Sequence, residues 1–546
     1  MAYDDILKYL GEFGRYQKRI YFFLCLPAIF CVTHKLANVF LQAKTKHRCH
    51  LPYEMDNSTY FMTPEVINMT IPWDTAAKTW SSCQRLDANF TQEYFDAGIP
   101  TNNTVDCDSW IYDTTTYKSS AVMEFNLVCE YAWLSATADA LFMVGVLLGS
   151  IIFGDLSDRF GRRPIFFLSL VLQVIGGIGA AILPNYSSYV AARMLIGATT
   201  SGVFLVAYVI AMEMVGPSKR MVAGVLCQVF GTIGYLLTAF FAYFIKEWRI
   251  LQIAFSVPGV LFLSYWWFIP ESVRWLLTKG KTDEAKHLIL KVAKENKADV
   301  PDDVLDKLLE EEKIQARTAA AVQKPSLLDL MRNSNLRKKS LNIFFQWFVI
   351  SGTYYGLSWN TSNLGGNDYL NFFIAGAVEF PANIILLCTL NRWGRKTLMC
   401  GTMLLAGAAL LLTLFVPYDM TWLIITFAMI GKLGITAAYG TLYIFSAEQF
   451  PTVIRNVALG ASSTCARVGG ILAPYVNLLA EHWQPLPLLI FGALSLAAGV
   501  TALLLPETMN QKLPDTIAEG ENFGKVTDDK QDINGDVLLE TKETEK

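Results

Sequence analysis

Three stretches of the chain, Pro164–Leu183, Met221–Ile245 and Ile250–Ile269, contain no Asp, Glu, Lys or Arg. Each matches the length of about 20 residues that a helix needs to cross the hydrocarbon of a bilayer. A soluble core helix rarely runs so far without a polar face, so the chain reads as an integral membrane protein. Composition agrees: 53% of the 546 residues are hydrophobic and 17% charged. The charges gather in short loops and a few polar stretches, leaving apolar runs between them.

Twelve spans are expected, near 21–43, 132–153, 164–183, 187–212, 221–245, 249–269, 341–361, 369–390, 397–417, 421–446, 457–479 and 484–505. The fold class is therefore all-α membrane with twelve transmembrane helices. Lys and Arg mark cytoplasmic loops. Lys8, Arg15, Lys18 and Arg19 precede the first span, and Arg159, Arg162 and Arg163 follow the second. Lys219 and Arg220 follow the fourth, and Arg392, Arg395 and Lys396 the eighth. All lie on one side if both termini are cytoplasmic. Asp4, Asp5 and Glu12 near the start do not fit a cleavable signal peptide, so the first span is expected to be retained. A net charge of −3 implies no nucleic-acid partner. The lipid bilayer is an expected partner, with the chain working as a monomer.

That orientation places 44–131 outside. The segment holds four N-x-S/T sequons, at Asn57, Asn68, Asn89 and Asn102, which are glycosylation acceptors only on that face. Two more, Asn185 and Asn360, lie at outer span ends, close enough to the bilayer to disfavour modification. The same segment carries four of the ten cysteines, Cys49, Cys83, Cys107 and Cys129. An even number in an oxidising compartment predicts two disulfides, with three pairings open. The remaining six cysteines lie in spans as small packing residues. Residues 274–339 are polar, with helical spacing over Lys281–Lys297 and Asp302–Lys313, and read as a cytoplasmic helical loop. The tail 507–546 reads as disordered, as the polar residues 1–20 read as a cytoplasmic N-terminus.

The chain also repeats itself. Arg159-Phe-Gly-Arg162-Arg163 recurs as Arg392-Trp-Gly-Arg395-Lys396. Glu213 to Arg220 recurs as Glu448 to Arg455, and Pro270-Glu271 as Pro506-Glu507, all at an offset of about 235 residues. A duplicated six-helix unit follows, with halves 21–273 and 340–506 and a site expected between them.

Gly154–Arg163 reads GDLSDRFGRR. A glycine there would let two helices approach, while Asp158, Arg159, Arg162 and Arg163 can form a charge network that holds an inner gate; the plainer reading is a positive-inside turn. This stretch, its copy at 390–396 and Arg193-x-x-x-Gly197 resemble motifs of the major facilitator superfamily. The copy has Asn391 in place of Asp158, so a weaker network is expected there. PESVRWL (Pro270–Leu276), AEQFPTVIRN (Ala447–Asn456), PET (Pro506–Thr508), LPDTI (Leu513–Ile517) and the opening YDDILKYLGEFGRYQ resemble the organic ion transporter family, and its invertebrate organic cation transporter-like members in particular. The resemblance implies a major facilitator fold of two pseudo-symmetric halves, alternating access, a plasma-membrane address, and conformational roles for Gly154, Asp158, Arg159, Arg162, Arg163, Arg193, Glu213, Arg392, Arg395, Glu448 and Arg455.

An ionisable residue at mid-bilayer costs about 2.5–3.5 kcal/mol on insertion scales and is expected to face the protein interior. Glu379, Lys432 and Arg467 sit near the middle of the eighth, tenth and eleventh spans. His34 and Lys35 lie in the first span, Asp139 in the second and Arg193 in the fourth. Glu379 could simply pair with Arg467 or Lys432 to staple its half, or present charge to a substrate. Trp347, Tyr355 and Tyr439 offer aromatic faces to an ammonium group, although packing explains any one of them equally well. His34 is a further candidate, as a cavity lining or a packed polar residue.

In the family, cation transporters carry an acid at the position of Arg467, so this basic residue resembles the anion and carnitine branches. Lys432 resembles the same branches, whereas Glu379 matches the cation and carnitine branches. One acid and two bases suit a carnitine- or betaine-like zwitterion, its ammonium facing Glu379 and its carboxylate Arg467 and Lys432. Simple cations and organic anions are the alternatives. No channel filter, nucleophile–base pair or metal cluster is visible, so no enzyme activity, cofactor or metal is expected; a non-transporting membrane sensor is the rival class.

Overall fold

The computed structural model describes residues 3–55, 58–75, 79–298, 300–301, 305, 307, 326–417 and 419–524. Among the described residues, twelve helices, two of them interrupted, form the bundle. The first six are α1 (Arg15–Leu36), α2 (Ala132–Phe160), α3 (Arg162–Ile182), α4 (Tyr186–Met214), α5 (Arg220–Phe244) and α6 (Trp248–Ser256, continued as Pro258–Leu263). The second six are α7 (Ser334–Trp359), α8 (Asp368–Ala377, continued as Glu379–Trp393), α9 (Arg395–Leu412), α10 (Thr421–Gln449), α11 (Arg455–Leu478) and α12 (Leu486–Ala502). Among the described residues, nine helices are long and apolar enough to cross a membrane, and α12 is a shorter apolar one. Helices α7 and α11 fall outside the nine: α7 opens on the polar run SNLRKKS, and α11 carries Arg467 within a Gly- and Ser-rich sequence.

Pairings within the first six are α2 with α4, α3 with α4 and α6, and α1 with α4 and α5. In the second six, α8 pairs with α10, α9 with α10 and α12, and α7 with α11. Between the sets, α2 meets α11 and α5 meets α8.

The close approach of α2 and α4 does not occur at Gly154, where a Cβ would meet nothing nearer than Leu205 Cδ2 at 3.8 Å. It occurs higher up, where a Cβ on Gly149 would lie 2.1 Å from the Ala198 carbonyl oxygen and one on Gly197 2.2 Å from that of Phe142. The expectation for Gly154 is thus corrected: Gly145 and Gly149 of α2 and Gly197 of α4 hold the contact, since a Cβ on any of them would run into the facing backbone.

The segment after α1 forms a capped end to the bundle, the loop end. His47–Cys49 pairs antiparallel with Trp110–Tyr112, and Gln84–Leu86 with Thr104–Asp106. Two disulfides, Cys49–Cys107 and Cys83–Cys129, with Cα separations of 5.5 and 5.6 Å, close one of the three possible pairings. Asn68, Asn89 and Asn102 are exposed on this segment, and Asn57 lies outside the described residues. Asn185 is exposed, whereas Asn360 is buried at 2%. Of the other cysteines, Cys25, Cys31, Cys227 and Cys400 are buried, Cys465 is half-buried and Cys388 is exposed.

At the opposite end, which we term the motif end, Thr282–Asn296 is a helix as expected. Its Asn296 binds the start of α1, accepting from the Tyr16 N–H at 2.9 Å and donating to the Leu10 carbonyl at 2.9 Å. The stretch expected as a helix over Asp302–Lys313 falls almost wholly outside the described residues. The expected disordered tail is ordered as far as Gly524: Ile517–Asn522 is helical, Glu521 accepts the Leu336 N–H at 2.8 Å, and Lys339 donates to the Gly520 carbonyl at 2.8 Å. Orphan N–H groups at the start of α7 supply the reason, since a carboxylate from the tail satisfies them.

The buried apolar residues separate by depth. One cluster, including Phe40, Tyr235, Phe372 and Phe491, is shared by both sets at the loop end. Toward the motif end each set has its own, around Phe166 and Trp275 in the first and around Ile435 and Phe445 in the second. There the two sets share only a small cluster of Val225 with Leu386, Leu390 and Leu398 among the described residues. Polar links between the sets, Lys44–Glu481 at 2.5 Å and Tyr117–Asp368 at 3.1 Å, are likewise at the loop end. The bundle is closed at the loop end and divided at the motif end.

Candidate functional site

Pro381 sets up the centre of the site. Lacking an N–H, it cannot continue the helical ladder of α8, and the helix restarts at Glu379. Glu379 is 6% exposed and Lys432 of α10 only 1%. Their charged groups lie 3.3 Å apart. Glu379 also accepts from the Tyr354 hydroxyl at 2.6 Å and from Thr232 of α5, in the other set, at 3.1 Å. Lys432 donates to Ser358 Oγ at 2.5 Å and sits 3.4 Å from the Tyr354 ring centroid. The acid is fully satisfied, because burial this deep without partners is prohibitively costly. Lys432 is therefore committed to Glu379 in this conformation rather than open to a carboxylate.

Arg467 is arranged differently. Among the described residues it has no hydrogen bond and no ion pair, and it is half-buried. The phenols of Tyr439, Tyr443 and Tyr355 lie within its electrostatic reach. Trp347 is anchored by its indole N–H to Ser446 at 2.9 Å, and its ring meets Tyr443 and Tyr439 edge-on at 4.6 and 6.0 Å. Tyr355 stacks on Trp359 at 5.4 Å and contacts Tyr354 edge-on at 5.2 Å. These rings belong to α7 and α10 and form one aromatic wall around Arg467.

His34 does not join the wall. It is fully buried, its ring 4.8 Å from Phe30 edge-on and beside Gly177 of α3, with neither ring nitrogen bonded. Of the two readings of His34, cavity lining or packed polar residue, this conformation shows the packed one: its face of α1 turns into the first six helices. Its neighbour Lys35 faces the other way, with Nζ 4.9 Å over the Tyr355 ring. One residue is about 100° of helical rotation, which is what separates the two. Arg193 is also fully buried, 4.7 Å from the Phe142 ring, with Nη1 3.5 Å from the His34 carbonyl oxygen. Asp139, bonded by Asn38 and Gln42, lies within its electrostatic reach.

Residues 91–517 match the family described as "Sugar (and other) transporter". The chain is 59% identical over 530 residues to the Drosophila melanogaster organic cation transporter protein, covering 96% of this chain and 95% of the relative. It is 35% identical over 527 residues to the human organic cation/carnitine transporter 2, covering 94% and 93%. Among solved structures, the proton:xylose symporter XylE of the major facilitator superfamily, bound to 6-bromo-6-deoxy-D-glucose, aligns with a TM-score of 0.60 at 16% identity, covering 91% of this chain and 98% of that one. The chain belongs to the organic ion transporter family. It is a membrane transporter with the major facilitator fold, not an enzyme.

The transporter's motif residues form two matching clusters. In the first, Arg162 meets both Asp158 and, at 3.6 Å, Glu213, which also accepts from Ser272. In the second, Arg395 meets Glu448 at 3.3 Å, and Glu448 accepts from Thr508 at 2.5 Å. The second arginine thus has one carboxylate where the first has two. Arg159 pairs with Asp155 at 2.8 Å on the surface, Arg163 lies 4.6 Å over the Trp266 ring, Arg455 donates to the Phe450 carbonyl at 3.3 Å, and Arg392 is exposed. Among the described residues, every bond of these side chains stays within its own six helices, so in this conformation the network ties each set internally and does not bridge the two.

Two carboxylates that the motif reading passed over complete these clusters. Glu271 accepts the Arg162 N–H at 3.0 Å, and Glu507 accepts those of Arg395 and Lys396 at 2.9 and 3.0 Å. They cap α3 and α9 against the helix dipole. The preceding glycines make room: Gly161 and Gly394 have φ of 114° and 86°, and a Cβ on either would lie 2.6 Å from the carboxylate. Burial pushes the Glu271 carboxyl up, against the pull of the Ser272, Arg163 and Arg162 N–H groups. At Glu507 burial also opposes ionisation, yet the N–H groups of Met509, Arg395, Thr508 and Lys396 outweigh it and hold the carboxyl low. A lowered carboxyl stabilises the fold above the ordinary carboxylate range, and that contribution is lost as pH falls through its own lower value. At neutral pH Glu507→Gln is therefore expected to lower the melting temperature of the detergent-solubilised transporter more than Glu271→Gln; the reverse ranking would contradict this assignment.

The other signals missed were hydroxyl partners on apolar-looking faces: those of Tyr354, Ser358 and Thr232 around the Glu379–Lys432 pair. A hydroxyl within a span carries little information in a linear sequence, because most such groups bond their own helix.

Proposed function

We propose that this transporter moves small organic cations or zwitterions of the carnitine and betaine kind across the plasma membrane by alternating access. The two pseudo-symmetric halves are 21–273 and 340–506, with twelve spans, both termini and the loop 274–339 in the cytoplasm, and the glycosylated loop 44–131 outside. In that orientation the division at the motif end is an opening to the cytoplasm. The observation that carries the reading is the separation of charges at mid-span: a neutralised Glu379–Lys432 pair beside an aromatic wall that holds an unneutralised Arg467. The relatives named for organic cations and for carnitine support it.

The chemistry is an exchange of ion pairs. An ammonium group entering along the tyrosines is attracted by their faces and competes with Lys432 for Glu379, while a carboxylate on the same molecule meets Arg467. Thr232 belongs to the first half and Glu379 to the second, so loosening the Glu379 cluster also loosens a contact between the halves. Substrate binding and rocking are thereby coupled.

Uptake by cells expressing the chain tests this with three matched radiolabelled probes: a quaternary cation, a carnitine-like zwitterion and an aromatic carboxylate. Saturable uptake of the zwitterion, reduced about tenfold by Arg467→Gln with cation uptake spared, is the expected result. Zwitterion uptake indifferent to Arg467→Gln would make that residue structural. Preference for the aromatic carboxylate would favour the anion reading, which the neutralised state of Glu379 makes the strongest second choice. Surface expression without saturable uptake of any probe would point to a non-transporting sensor.

A further inference from the structure

The central region holds more positive than negative charge. Of its acids, Glu379 is consumed by Lys432, and Asp139 is engaged by Asn38 and Gln42. Two bases have no such partner. Arg467 belongs to α11 in the second six helices, and Lys35 to α1 in the first. Among the described residues neither has a carboxylate or hydrogen-bond partner, and both are half-buried. Both flank Tyr355: the Lys35 ammonium lies 4.9 Å over its ring, and α11 packs on the same ring one turn beyond Arg467, where a Cβ on Gly470 would lie 3.4 Å from Tyr355 Cδ2. Two like charges in a low-dielectric interior repel, and mid-bilayer bases are costly unless a counter-charge arrives.

We propose that Lys35 and Arg467 form a carboxylate seat that straddles the two six-helix sets, and that the ligand supplies the missing negative charge. This rests on the reading of the central region as the substrate site and deepens it, by assigning the carboxylate to Lys35 and Arg467 in place of Arg467 and Lys432. The Tyr355 ring holds the Lys35 ammonium by a cation–π contact at 4.9 Å, so the base is positioned without being neutralised. A planar carboxylate offers Arg467 a two-point contact and leaves an oxygen lone pair for Lys35. Because the two bases come from different sets, a bound carboxylate draws the sets together, and the empty site retains their repulsion. Loaded return is then faster than empty return, so the transporter exchanges anionic or zwitterionic substrates faster than it moves them net.

The test uses the purified full chain and simple probes, benzoate and tetraethylammonium, with ligand-induced thermal stabilisation as the readout. Benzoate is expected to stabilise the wild type, with apparent affinity about tenfold weaker in Lys35→Gln and in Arg467→Gln. Lys35→Arg should retain benzoate binding, and tetraethylammonium should act equally on wild type and Lys35→Gln. Unchanged benzoate affinity in Lys35→Gln, or no stabilisation of the wild type by benzoate, would overturn the seat. If benzoate binds as expected but cells take up none of the three radiolabelled probes, the seat stands and the transport reading of it fails.

Discussion

Glu379→Gln is expected to destabilise the transporter by about 3 kcal/mol or more, because it strands Lys432 as a buried charge without a counter-ion. The two groups are 3.3 Å apart, with side chains 7% and 2% exposed. Among the described residues no other carboxylate is placed to replace Glu379, and Ser358 is a neutral acceptor for Lys432. The matched change Lys432→Met strands the acid, although Tyr354 and Thr232 continue to donate to it. Removing both charges together deletes the pair and its desolvation cost at once. The double variant is thus expected to be far more stable than the sum of the single losses, and to recover surface expression that each single variant loses. Melting temperatures of the four proteins in detergent measure this coupling. Additive losses would mean that the charges do not act as a pair. Transport by the double variant then separates stability from recognition: loss of zwitterion uptake at normal expression would assign Glu379 a role in binding beyond its role as a staple.

The second large effect concerns the contact of α2 with α4. Gly149→Ala is expected to abolish folding of the first six helices, since its Cβ would lie 2.1 Å from a backbone oxygen. A flexible side chain can move away from such a clash, but a helix backbone moves only with the whole helix. The cost exceeds the usual overpacking penalty of about 1–3 kcal/mol. Gly154→Ala, in the superfamily-like motif, would make only an ordinary 3.8 Å contact with Leu205 Cδ2 and is expected to leave surface expression near wild type. Quantifying surface protein for both variants checks the contrast. Equal loss in both would return the close approach to the motif glycine.

Much of this was legible from the chain alone. Charge-free runs and Arg-rich turns placed the helices, because the bilayer enforces length and apolarity so strongly. The repeat of GRR as GRK foretold two similar clusters, and Glu379, Lys432 and Arg467 announced themselves by the cost of burying charge. The motif glycine misled, since a glycine in a recurring string need not be the one at the contact. For His34 and Lys35 the sequence left the choice open: two adjacent polar residues on a helix cannot both face the same gap, and nothing local distinguishes them.

The sequence by itself determined the membrane class, the helix order and which ionisable residues had to be internal. These follow from solvation, which acts on each segment separately. Tertiary structure alone decided that Glu379 is neutralised while Arg467 is not, that Lys35 rather than His34 faces the second set, which cysteines pair, and that the motif clusters close within each half. Those outcomes depend on distances of a few ångströms between helices far apart in the chain. Electrostatics and packing at that range are set by how helices rotate against one another, which no single segment encodes.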